Sequence, residues 1–104
     1  MKDRIKELVE EENLLDPQND VLWEINWQKR LDLLTVNLSE TIEYLDECNG
    51  NELLSATELL EELMIHFKSQ DLISCAERML QRCKDKNTVE YLKDEIERMK
   101  SILF

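Results

Sequence analysis

Apolar residues recur at three- and four-residue intervals along most of the chain, the spacing of one face of an α-helix rather than the alternation of a strand. Ile5, Leu8 and Val9 predict a first helix over about 2–14, with Leu15 near its buried side. Glu10-Glu11-Glu12 falls where the helix dipole disfavours negative charge, so that end is expected to fray. Asp16-Pro17 reads as a helix start, with Asp as N-cap and Pro at the first helical position. A second helix then runs from Pro17 toward Thr35, and its stripe of Trp23, Trp27, Leu31 and Leu34 continues through Leu38, Ile42 and Leu45. Asn37 with Glu40 resembles a capping box and argues for a new helix over about 38–48. The unbroken stripe equally allows one helix from 17 to 48.

Gly50 is expected as a left-handed C-cap. Ser55-Ala56-Thr57-Glu58 forms a capping box with Leu54 and Leu59 as its hydrophobic staple. The helix it opens, which alternatively begins nearer Asn51, places Leu53, Leu60, Met64 and Phe67 on one side. Ser69 caps a helix over about 70–84, buried through Leu72, Ile73, Ala76, Met79, Leu80 and Cys83. After a turn at Asp85-Lys86-Asn87, Asn87 and Glu90 cap a last helix over about 88–103, buried through Val89, Leu92, Ile96, Met99 and Leu103.

Composition supports this pattern. A chain of 104 residues fits one domain, 1–104, and 42% hydrophobic residues suffice for one core. A single Gly and a single Pro are too few for a β-sandwich or a glycine-rich nucleotide fold. The expectation is an all-α fold, a compact bundle of five or six short antiparallel amphipathic helices. Met1-Lys2-Asp3-Arg4 leads into a charged segment, so no secretory signal is expected, and no apolar run is long enough for a membrane span. Three cysteines, Cys48, Cys75 and Cys83, give an odd count without C-x-x-C and point to a reduced, cytoplasmic protein.

Charge is the least even property of the chain. Residues 1–31 hold eight acids and five bases, residues 32–67 nine acids and no Lys or Arg, and residues 68–104 seven acids and eight bases. The segments carry −3, −9 and +1, which make up the formal −11. Such a balance excludes direct binding of nucleic acid or an anionic membrane, both of which need Lys and Arg. A charge confined to one segment sets up a directional field suited to a basic partner. Glu40, Glu43 and Glu47 fall on one side of the 38–48 helix, and Glu58, Glu61 and Glu62 on one side of the next. These six are the candidate partner-binding residues, weighed against a plain solvated face. Tyr44, between Glu43 and Asp46, joins them as an aromatic able to stack on a partner's Arg, against an ordinary half-buried tyrosine.

Trp23 and Trp27 read as core, with an exposed interface anchor as the functional alternative. The cysteines read as small buried hydrophobes. His66 is the single histidine; neither H-E-x-x-H nor the E-x-x-H of di-iron bundles is present, so no metal and no cofactor are expected. Nothing assembles a nucleophile, base and oxyanion loop, and the chain is expected not to be an enzyme.

Glu58-Leu59-Leu60-Glu61-Glu62-Leu63 followed by Phe67-Lys68-Ser69-Gln70-Asp71-Leu72-Ile73-Ser74-Cys75 resembles a pattern in small immunity proteins of bacterial toxin systems, including the contact-dependent growth inhibition type. The likeness spans residues 55–83: an acidic helix, then a Ser-initiated helix with an apolar pair and a Cys. It implies a cytoplasmic, all-helical, non-enzymatic inhibitor of one cognate toxin domain, often a nuclease with a basic cleft, and carries no contact residue over. The expected function is therefore an acidic inhibitor, monomeric or weakly self-associating, acting through residues 32–67. The alternative is a helical adaptor or oligomerisation module whose acidic face only keeps it soluble.

Overall fold

Local capping chemistry decides where four of the helices begin. The computed structural model describes residues 2–16 and 18–104, and these hold α1 (Lys2–Leu14), α2 (Asp20–Leu34), α3 (Leu38–Glu47), α4 (Asn51–Thr57), α5 (Leu60–Phe67), α6 (Gln70–Arg82) and α7 (Lys86–Leu103), with no strand. Asn37 accepts a hydrogen bond from Glu40 N and Ser69 accepts from Asp71 N, as their spacing predicts. The chain therefore breaks between α2 and α3, and the single-helix reading of 17–48 does not hold.

Other starts differ from the pattern. Asn19, not Asp16, caps α2 by accepting from Leu22 N, while Asp16 Oδ1 accepts from Gln18 N and holds the turn before it. Pro17, expected as the first residue of that helix, lies outside the described residues. Asp85 caps α7 through Thr88 N and Thr88 Oγ1, so the helix begins at Lys86 and Asn87 is already inside it.

The stretch 51–67 forms two helices where one is expected, which raises the count to seven. Leu59 N–H reaches back only to Ala56 O, a 3₁₀-type turn, and Thr57 Oγ1 donates to Leu53 O. This tight turn lets Leu59 and Leu60 both enter the core. Ser55 sits buried within α4 and caps nothing. Gly50 takes φ 58° just before α4, a conformation that favours glycine, and Lys68 closes α5 in the left-handed region at φ 49°.

Two of the main packing pairs, α6 on α7 and α1 on α2, are consecutive in sequence, and two, α5 on α7 and α3 on α6, are not. The short α4 touches α1 and α7, and α2 touches α3 and α5, at the edge of the bundle. One core runs through them, sealed by Leu34, Leu45, Leu63, Met64, Met79 and Leu92, among others. The radius of gyration, 13.0 Å, is that of a compact chain of this length. Leu63 is fully buried although no predicted stripe included it. Replacing Leu63 by Ala should cost about 2–5 kcal/mol in urea denaturation. Replacing Leu14, which stands in solvent at the end of α1, should shift stability by less than about 0.5 kcal/mol.

Candidate functional site

The seven residues singled out for partner binding do not gather into one patch. Glu40, Glu43 and Glu47 do share the outer side of α3. However, Lys2 Nζ lies 3.1 Å from Glu43 and 2.8 Å from Glu47, so the first turn of α1 brings a cation to this row. On the adjoining side of α3, Asp46 takes a two-pronged contact from Arg78 of α6, at 2.9 and 3.1 Å. That guanidinium holds the Asp46 carboxyl below its usual range. Arg82, one turn further along α6, donates to the carbonyls of Leu45 and Cys48. It supplies the positive charge that the C-terminal end of α3 lacks in its own sequence. Cations from both ends of the chain thus compensate the middle segment.

Tyr44 is a correction. It is 3% exposed, packed in the core, with its hydroxyl donating to Glu52 Oε2 at 3.4 Å. Burial pushes the phenol far above its usual range, and the ring is not free to stack on a partner. It lines, from beneath, an open cleft of about 450 Å³ that Lys2, Lys6, Glu10 and Glu52 also border.

Glu58 faces inward, away from Glu61 and Glu62, and is half-buried beside Glu12 and Arg30. Glu61 is partly covered near Tyr91 and Glu95 of α7. Glu62 is exposed across a shallow groove from Gln28 and Asp32 of α2. The predicted acidic face of 58, 61 and 62 is therefore split by the α4–α5 turn into one internal group and two outer ones. Of the six candidate carboxylates, Glu40, Glu58, Glu61 and Glu62 have no cation within 4 Å among the described residues.

The largest departure from the pattern is in α2. Its buried row is Asn26, Arg30 and Leu34, with Trp27, Leu31 and Leu33 flanking it. Arg30 is 1% exposed. Its Nε donates to Asn26 Oδ1 at 2.9 Å, its Nη1 reaches Ser55 O at 3.5 Å, and its Nη2 lies 3.0 Å from Glu12 Oε2. This last contact is an ion pair rather than a well-aligned hydrogen bond. Asn26 Nδ2 donates to Leu8 O, and Ser55 Oγ and the Trp23 ring N–H both donate to Glu12. A four-residue polar knot thus ties α1, α2 and α4. The signal for it was an Asn and an Arg one turn apart inside a helix with apolar residues on every side.

Val21, Leu22 and Ile25 lie off this inward row and stand in solvent. Trp23, expected in the core, is 41% exposed, whereas Trp27 does pack against it.

The remaining chemistry is quiet. Burial pushes the Cys48 and Cys75 thiols up to about 11 and about 12, away from thiolate chemistry at neutral pH. His66 is exposed and meets the edge of Phe67. Among the described residues no group of three or more His, Cys, Asp or Glu is placed to hold a metal ion, and no helix is long and apolar enough to cross a membrane.

No family model matches the chain, and no curated protein or solved structure is detectably similar to it. The residues that carry the resemblance to immunity proteins have structural tasks here. Leu59, Leu60, Leu63, Leu72, Ile73 and Cys75 fill the core, and Ser69 caps α6.

Glu58 provides a test of the buried polar knot. Burial raises its carboxyl above the usual carboxylate value, the charge of Glu12 raises it further, and Arg30 partly offsets both. A raised carboxyl binds its proton more tightly folded than unfolded, so stability grows as pH falls through the raised value toward the ordinary one, about 4.3. Glu58→Gln removes the charge. The variant should therefore have a higher urea midpoint than wild type at pH 7, and its advantage should shrink at pH 5.

Proposed function

We propose that this chain is a non-enzymatic acidic binding protein that neutralises a basic protein domain by covering it, in the manner of an immunity protein facing a nuclease-type toxin. One observation carries the reading. From Glu7 to Phe67 sixteen carboxylates stand against two cations, Lys29 and Arg30, and Arg30 is sealed inside the fold. Lys2 and Arg78 reach back over part of this excess, but exposed pairs of that kind contribute only about 0–1 kcal/mol and yield to a partner's own charges. Glu40, Glu62, Asp16, Asp20 and Glu24 are exposed and unpaired among the described residues.

Their field speeds encounter with a cationic surface and rejects an anionic one. In this form the acidity is spread over two sides of the bundle, and the inhibitor does not depend on a single patch within residues 32–67. A helical adaptor or self-association module is the second reading, favoured by Val21, Ile25 and Phe104 standing in solvent.

The test is co-expression with the product of the adjacent coding sequence, followed by calorimetry at rising salt. The variant in which these five exposed carboxylates are neutralised together, Asp16→Asn/Asp20→Asn/Glu24→Gln/Glu40→Gln/Glu62→Gln, should bind at least about tenfold more weakly at low salt and with a shallower salt dependence. Unchanged affinity and salt dependence would remove the electrostatic basis of the reading.

A further inference from the structure

Helix α2 carries on its outer side a row of apolar residues beside a row of acids. Val21 and Ile25, one turn apart, are 67% and 47% exposed. Asp20 and Glu24 form a second row one residue earlier, about 100° around the helix, and both are exposed. Leu22 is exposed on the other side of Val21, and Trp23 stands at the same end, its ring N–H held by Glu12. Leu14, 86% exposed, lies at this end of the α1–α2 hairpin. No neighbouring helix covers these rows, because α2 spends its inward face on Asn26, Arg30 and Leu34.

We infer that the outer side of α2 is the docking surface for an amphipathic cationic helix of the partner, with its apolar side chains on Val21 and Ile25 and its Lys or Arg residues along Asp20 and Glu24. The inference rests on the reading of the chain as a binder of a basic protein, and names where and how it binds. Charge complementarity selects this occupant. Of the seven acids between Glu7 and Gln28, Glu7 and Glu11 face Arg4 and Glu12 faces Arg30, whereas Glu10, Asp16, Asp20 and Glu24 have no cation within 4 Å among the described residues, so the carboxylates beside the apolar row are unmatched. A second copy would bring one acidic row against another, with Lys29 the sole exposed cation of the chain from Glu7 to Phe67 to relieve the repulsion. A purely apolar occupant would leave Asp20 and Glu24 at the rim unmatched. A helix with adjoining apolar and basic rows satisfies both.

The probe is a synthetic Leu/Lys amphipathic helix of about 18 residues, long enough to hold its fold. It is titrated into the intact protein while amide chemical shifts are mapped. The expected result is shift changes centred on α2 and the end of α1, with binding weakened by salt. Val21→Ser/Ile25→Ser should lower affinity at least about tenfold at unchanged melting temperature, since both side chains are already in solvent. Asp20→Lys/Glu24→Lys should lower it further and leave a neutral Leu/Ser peptide unaffected. Shifts centred on α3 and α5, with the serine variant binding as wild type, would overturn this surface while leaving the binding reading intact. Absence of any binding would sink both. Sedimentation showing a dimer abolished by the serine variant would replace the basic partner by a second copy.

Discussion

The conformation of the whole first half depends on burying one guanidinium. Arg30 enters the fold with its charge, and a buried charge is tolerable only when paired and hydrogen-bonded. Its partners come from three elements: the Glu12 carboxylate at the end of α1 as counter-charge, and Asn26 one turn back in α2 and the Ser55 carbonyl in α4 as hydrogen-bond acceptors. Those contacts fix how α2 is rolled about its axis. Removing one partner would strand the others in a dry interior, a loss of about 3–5 kcal/mol in comparable buried pairs. The Glu10-Glu11-Glu12 run, unfavourable at a helix C-terminus in isolation, acquires a purpose here, since its last carboxylate is the counter-charge of Arg30 and the acceptor of Trp23.

Two consequences follow from that roll. The polar row faces in and Val21 and Ile25, on the opposite side of the helix, face out, so the bundle has an unpartnered edge next to unpaired acids. Because Arg30 is consumed internally, the segment from Glu7 to Phe67 shows the solvent almost nothing but negative charge. The second half of the bundle behaves differently. There Arg78 and Arg82 on α6 grip the side chain and terminal carbonyls of α3, and Glu95, though buried, keeps Arg98 as its partner. The charge imbalance along the chain thus survives folding in part, with Asp16, Asp20 and Glu24 exposed and unpaired at the α1–α2 corner and Glu40 and Glu62 on α3 and α5, among the described residues.

Much of the fold was legible because it is written in local chemistry. Asn37 and Ser69 cap where their spacing says, and the stripes of α1, α6 and α7 bury most of the residues expected of them, with Leu80, Cys83, Val89 and Leu103 only partly covered. Residues failed where a local pattern admitted two solutions. In α2 apolar side chains lie all around the helix, so Trp23-Trp27-Leu31-Leu34 and Asn26-Arg30-Leu34 are stripes only about 40° apart, and a partner from another helix had to choose. Ser55 matched a capping box, yet its hydroxyl is claimed by Glu12, 43 positions away. Tyr44 looked free among carboxylates because no periodicity marks it as core. The candidate acidic patch failed for the same reason: Lys2 meets Glu47 across 45 positions, a pairing that no window along the sequence contains.

The roll of α2 can be read directly from hydrogen exchange at the Arg30 side chain. In a ¹H–¹⁵N spectrum of the native protein at neutral pH, the Arg30 Nε–H, assigned by its loss in Arg30→Lys, should give a sharp signal. It should exchange orders of magnitude more slowly than free arginine and become fast in Asn26→Ala. An Arg30 Nε–H that exchanges as fast as that of the exposed Arg4 would mean the guanidinium is in water and the polar knot that ties α1, α2 and α4 does not exist.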